Sequence, residues 1–312
     1  MSQTNPLPRY KRSKNPPPLQ LTQRDIRLLE HIYRLRLLDR LQLQRLEFTP
    51  AGTSAAKRRL TLLYHHGLVD RRYAPRTVPY GSPRSAYCLD RRGAEVLAAR
   101  RGVGVDELDW RRDEAAREAF FLSHTLATND VYVGLGAACS ASGYGLDWLS
   151  ERTLRRELSG KRVRAGDGAD LLAPIPDGHA TVEVSGEAYG FAVELDRGSV
   201  EEKRIRQKIH SYGAWVGSGA YGRLFPNVAL RVLFVVEAEQ RSAARLARLV
   251  RWCEVERGAS LFWFTEHGRL AGSDILRDPI WRVAGGDGLH ALIPDGGAGV
   301  ATISRRPLPV IR

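Results

Sequence analysis

The chain has 312 residues, 43% of them apolar, and a formal net charge of +13. That length suits about two domains with two buried cores. No 18-residue apolar run, signal-peptide core or lipidation motif is present, which excludes a membrane-spanning or secreted protein and predicts a soluble, cytoplasmic one.

Charge divides the chain unevenly. Residues 1–101 hold 21 Lys/Arg against 7 Asp/Glu, and residues 102–312 hold 27 against 28, so the whole excess lies in the first third. Such asymmetry is the footprint of a nucleic-acid-binding module joined to something with a different task. Cys88, Cys139 and Cys253 are too few and too scattered for a disulfide framework or a zinc finger, and read as small buried apolar residues.

Residues 1–20, with Pro16-Pro17-Pro18 and four basic side chains, have the composition of a disordered basic arm. A domain over 21–102 follows. Thr22 and Asp25 form a capping box, and Ile26, Leu29, Ile32 and Tyr33 make the apolar stripe of a first helix. Asp39 caps a short second helix. A third helix runs from Thr53 to Gly67, with Leu60, Leu63 and Tyr64 inward, Lys57 near its start, and Arg58 and Arg59 facing out. The stretches 68–73 and 85–89 then predict a β-ribbon. Three helices and an Arg-decorated ribbon make a winged helix-turn-helix, with the third helix in the major groove and Arg71, Arg72, Arg76 and Arg84 on the wing. The alternative for these arginines is a solvated face. A helix from Asp90 to Ala99 closes the domain, and 103–145 is a connecting helical segment, helical from about Asp113, in which His124 is a core histidine.

The domain over 146–270 carries the chemistry, and 271–312 is a C-terminal extension whose Gly-rich stretch from Gly285 reads as loop. Residues 189–196 alternate so that Gly190, Ala192, Glu194 and Asp196 share one face. Residues 176–184 alternate too, and Ser185-Gly186-Glu187-Ala188 suits a hairpin loop. Pairing Val184 with Tyr189 sets Asp177 opposite Asp196 and His179 opposite Glu194. Carboxylates facing one another across a sheet are destabilising unless a cation neutralises them. A helix, a strand with Trp148 and Glu151, this hairpin, a helix over 200–216, a strand over 230–236, a helix from Ser242 and a strand over 261–264 follow in the core order of restriction-endonuclease-like folds. The expected fold class is therefore α+β and multidomain: a winged helix followed by an α/β domain with a mixed central sheet.

The chain resembles the plasmid replication-relaxation family and the related C-type mobilisation relaxases. The matching pieces are Leu21-Thr22-Gln23-Arg24-Asp25, His124-x-Leu126-x-x-Asn129-Asp130-Val131, Trp148-x-x-Glu151, Pro176-Asp177-Gly178, Glu194-Leu195-Asp196-Arg197-Gly198 and Lys208-x-x-x-Tyr212. The resemblance implies a winged helix before a nuclease-like domain of the PD-(D/E)xK kind, acting on double-stranded DNA of a plasmid or mobile element, with relaxosome or replication proteins as partners; a symmetric DNA site would add a second copy of the chain as a homodimer.

Phosphodiester hydrolysis needs a divalent cation, Mg²⁺ or Mn²⁺, to polarise the phosphate and generate hydroxide. Asp177 and Glu194 are the expected ligands, with Glu151 as a third acid. The nuclease pattern wants a lysine two residues after Glu194, where this chain has Asp196. The next helix offers a replacement: Glu201, Ile205, Lys208 and Tyr212 share one stripe, so Lys208 is the candidate, Lys203 the second. An ordinary surface lysine is the alternative for Lys208. The histidines lack H-x-x-x-H or H-x-H spacing, and no G-x-x-x-x-G-K-[ST] loop exists, which argues against a histidine-built metal centre and against ATP hydrolysis. Tyr189, Tyr212 and Tyr221 lie near the site, none in a motif that marks a nucleophile. Besides a metal-dependent nickase, a non-enzymatic DNA-binding accessory or regulator with a degenerate nuclease fold fits the same residues.

Overall fold

The computed structural model describes residues 7–73, 85–110, 122–237, 241–255 and 259–293. Arg76, Arg84 and the start of the expected long helix lie outside the described residues, as do residues 1–6 and 294–312. The fold is α+β in two compact units, 1–133 and 134–312. Among the described residues no helix is long and apolar enough to cross a membrane.

Unit 1 contains α1 (Gln23–Leu35), β1 (Leu38–Asp39), α2 (Arg40–Glu47), α3 (Thr53–His65), β2 (Val69–Tyr73), β3 (Ser85–Leu89) and α4 (Arg91–Arg101). Both predicted caps are present. Thr22 and Asp25 satisfy each other's backbone N–H groups at the head of α1, and Asp39 and Gln42 do the same for α2. Helix α3 ends at His65, and Gly67 takes φ +70°, the left-handed conformation that reverses the chain into β2. The ribbon is antiparallel, and β1 adds a third strand, giving the order β1-β3-β2.

Residues 7–20 carry no regular structure, yet they lie along α3 and the ribbon instead of forming the expected free arm. Arg12 donates to the carbonyls of Tyr64 at 2.8 Å and Val69 at 3.2 Å and to the Asp90 carboxylate at 2.5 Å. The Ser13 N–H donates to His65 Nδ1, and Pro17 supplies its carbonyl to His66. Composition shows that such a segment cannot build a core; it does not show that helix-end carbonyls await a guanidinium.

Unit 2 is built on a six-stranded mixed sheet. Its elements are β4 (Gly145–Ser150), α6 (Glu151–Leu158), β5 (Arg162–Arg164), β6 (Asp170–Leu172), β7 (Gly178–Val184), β8 (Glu187–Asp196), α7 (Glu202–Gly217), α8 (Ala220–Leu224), β9 (Val228–Val236), α9 (Ser242–Glu254), β10 (Phe262–Glu266) and β11 (Arg282–Val283). They follow α5 (Leu122–Ser142), within whose sequence the division between the units falls. The sheet order is β11-β10-β9-β8-β7-β4, with β8-β9 and β9-β10 parallel and the other pairs antiparallel. Helices α7 and α9 and the small β5-β6 hairpin cover one face, burying Tyr212, Trp215, Phe234, Leu249 and Phe262 in a single apolar cluster. A fully buried side chain of this size contributes about 1.5–3 kcal/mol. Cys139 and Cys253 are buried in unit 2 and Cys88 in unit 1, and none of the three is in a disulfide.

Two features differ from expectation. Glu151 begins α6 instead of continuing the strand, because Ser150 caps that helix by accepting from the Thr153 N–H. The hairpin pairs Val184 with Glu187, two residues from the expected register. Ser185 and Gly186 both take positive φ, +51° and +90°, and close a two-residue turn, so Glu187 and Ala188 join the strand. A slip of two preserves the side-chain period, and every residue keeps its predicted face.

Candidate functional site

Strand register brings the two acids together. Gly178 pairs with Val193, so Asp177, one residue earlier, comes opposite Glu194. The Asp177 N–H donates to the Val193 carbonyl at 2.9 Å, and its Oδ2 accepts from the Leu195 N–H at 2.8 Å. Gly178 has a steric reason for being glycine: a Cβ there would lie 2.2 Å from the Trp148 ring. Trp148 thus packs directly beside the Asp177 turn, linking two of the sequence motifs.

Helix α7 supplies the rest. Its stripe places Lys208 and Tyr212 over β8: Lys208 Nζ donates to Glu194 Oε2, and Tyr212 Oη donates to Oε1 at 2.5 Å. Lys203 is exposed. Glu194 is 5% exposed and Tyr212 fully buried. Burial pushes the Glu194 carboxyl up to about 7, and Asp177 adds to the rise while Lys208 opposes it. Burial alone would lower Lys208; the charges of Glu194, Asp177 and Glu151 outweigh it, so the ammonium is held protonated above its ordinary range. The Tyr212 hydroxyl is driven well above the ordinary phenol range, first by burial and then by Glu194.

The remaining predicted site residues lie elsewhere. Asp196 is committed to Arg245, which grips it with Nε at 2.6 Å and Nη2 at 3.2 Å while also donating to the Val200 carbonyl. Glu151, at the head of α6, forms an i,i+4 ion pair with Arg155 and reaches Lys208 only through its field. His179 faces Ala192, not Glu194. It accepts or donates one hydrogen bond with Tyr221 Oη at 3.1 Å and stacks on Phe225 at 4.0 Å. Gly190 makes room, since a Cβ there would meet Tyr221 Oη at 2.1 Å.

Burial lowers the His179 imidazole to about 3. The unfolded chain, titrating near 6.5, therefore takes up a proton that the folded chain refuses, so this stability is complete above pH 6.5 and is lost on acidification toward 3. The expected loss from this group between pH 7 and pH 5 is about 2 kcal/mol. Urea unfolding at both pH values should give His179→Phe a fall smaller by that amount; equal falls in both proteins would dismiss His179 as the acid-sensitive group.

In unit 1, Lys57 and Arg58 are exposed on α3. Arg59 instead turns inward, its Nε 2.6 Å from Oδ1 of the fully buried Asp25, with Nη2 on Oδ2 and the Gln20 carbonyl. Burial would raise Asp25, but the hydrogen bonds from Arg59 and Thr22 outweigh it and hold the carboxyl below its usual range. Arg71 stacks 3.7 Å above the Tyr64 ring, and Arg72 pairs with Asp70 at 3.1 Å. Sequence reasoning missed Arg245 and Arg12. Arg245 leaves one signal, an arginine in the apolar stripe of α9.

Among the described residues no three His, Cys, Asp or Glu side chains converge closely enough to hold a metal ion alone. Asp177 and Glu194 stand opposite one another, at the leading end of β7 and on β8; Mg²⁺ is commonly held by one or two carboxylates together with waters and substrate oxygens.

The replication-relaxation family model matches residues 29–228, and the chain belongs to that family. Membership connects it with plasmid or mobile-element replication. No curated protein and no solved structure matches the chain.

Proposed function

We propose that this protein binds double-stranded DNA of a plasmid or mobile element through unit 1 and nicks it by metal-dependent phosphodiester hydrolysis at Asp177, Glu194 and Lys208. The observation that carries this reading is the meeting of the Lys208 ammonium with Glu194 beside Asp177. It supplies from α7 the lysine that Asp196 denies the strand. Asp177 and Glu194 would hold the cation, which polarises the phosphate and lowers the pKa of a bound water. Tyr212 fixes the rotamer of Glu194, and the Leu195 N–H fixes Asp177. Lys208 then offers its charge to the phosphate.

Unit 1 supports a winged-helix role through its three helices and its β1-β3-β2 sheet. Lys57 and Arg58 are the residues of α3 available to DNA, with Arg71 and Arg72 on the ribbon. One observation favours a second reading, a non-enzymatic accessory protein: both Glu194 oxygens already have partners. Nicking of supercoiled plasmid in Mg²⁺ or Mn²⁺ separates the two. The expected result is nicking by the native chain and its loss in Asp177→Ala and Glu194→Ala at matched DNA binding. Full binding without nicking in every sample, including DNA with the element's own transfer origin, would leave the accessory reading standing.

A further inference from the structure

We propose that Lys208 is the resident cation of the site: its ammonium holds the Glu194–Asp177 pair in the free protein and passes to a DNA phosphate when a divalent cation enters, so that metal and DNA bind cooperatively. This rests on the metal-dependent reading above.

Three observations lead here. Glu194 has no uncommitted oxygen, since Lys208 Nζ takes Oε2 and Tyr212 Oη takes Oε1. Each oxygen keeps a second lone pair, but a divalent cation on Glu194 would stand within a few ångströms of the ammonium, and repulsion between the two positive charges drives a partner out. Tyr212 is 0% exposed and wedged against Trp215 and Phe262, whereas the Lys208 side chain is 34% exposed and has four rotatable bonds. Lys208 is the partner that can leave. Its charge also acts on both carboxylates, the buried Glu194 and the half-buried Asp177, with Glu151 adding to the same negative field. Divalent cation and ammonium occupy the same field, so they compete. Displaced toward solvent, the ammonium regains its lost partner from a phosphate oxygen, a strong charge-assisted acceptor. DNA thus removes the competitor, and by linkage the cation must strengthen DNA binding by the same factor.

The test is Mn²⁺ titration of the full chain, followed by the electron paramagnetic resonance of the free ion. It is run at pH 8.5 and fixed salt, with and without a DNA duplex, and with the duplex alone as a blank. In the native protein the Mn²⁺ dissociation constant should fall about tenfold on adding DNA, within the usual range of coupling between sites. Lys208→Met should bind Mn²⁺ about tenfold tighter without DNA and lose most of the DNA effect. Equal Mn²⁺ affinity in both proteins, or a DNA effect that survives in Lys208→Met, overturns the proposal. If Lys208→Met does not fold, the native protein decides alone, because no tightening by DNA is equally fatal. Mn²⁺ binding that Glu194→Gln abolishes and Lys208→Met leaves unchanged would refute the exchange while sparing the metal site. No binding to any variant would refute both.

Discussion

Replacing Arg245 by methionine will destabilise unit 2 by about 3–5 kcal/mol, the cost of leaving one member of a buried ion pair alone. Arg245 and Asp196 are 4% and 6% exposed, and the guanidinium holds the carboxylate with two nitrogens. Without it, Asp196 keeps only the Gly198 N–H among these partners, at 3.1 Å. For a unit of this size the melting temperature should drop by roughly 6–20 °C. Arg245 also donates to the Val200 carbonyl, so its loss frees the connection that aims α7 at β8. The double variant Asp196→Leu/Arg245→Met should recover most of the stability, since apolar replacement of both partners of a buried pair is often neutral. A single variant that melts within about 2 °C of the native protein, well short of that range, would show that the pair contributes little.

Arg58 and Arg59 are neighbours in sequence and should behave oppositely. Arg59→Ala strands Asp25, which is 0% exposed, and is expected to cost unit 1 about 3–5 kcal/mol. Arg58→Ala removes an exposed side chain and should change stability by less than about 0.5 kcal/mol. If unit 1 binds DNA through α3, Arg58→Ala should instead weaken binding uniformly across sequences and reduce the salt dependence by about one phosphate contact. Chemical denaturation and DNA titrations over a salt series check both. Equal stabilities of the two variants would contradict the inward position of Arg59.

Why was Arg59 legible only as another basic residue? Helical periodicity gives a direction, and at the edge of a stripe it does not distinguish a solvated guanidinium from one folded onto a buried carboxylate. The capping boxes at Thr22 and Asp39 were legible because each involves residues three apart. Lys208 and Tyr212 could be read for the same reason, as one turn of a single helix. The union of Asp177 with Glu194 was legible through the period of two, and survived a register error of two residues. What local pattern could not supply was long-range pairing. Asp196 and Arg245 are 49 positions apart, and Arg12 reaches Asp90 across 78. The helix α6 left a trace in the Ser150 cap and the Leu154–Leu158 spacing, but the strand-like approach through Trp148 masked it.

The three cysteines have a practical meaning. Burial lifts the thiols of Cys88 and Cys139 to about 12, and Cys253 is fully enclosed, so the native chain offers almost no thiolate to alkylating reagents or oxidants. Unit 1 contains Cys88, and unit 2 contains the other two. Each half of the molecule therefore carries an internal tracer that stays silent while that half is closed and becomes reactive only during its excursions, with no label added and no residue changed.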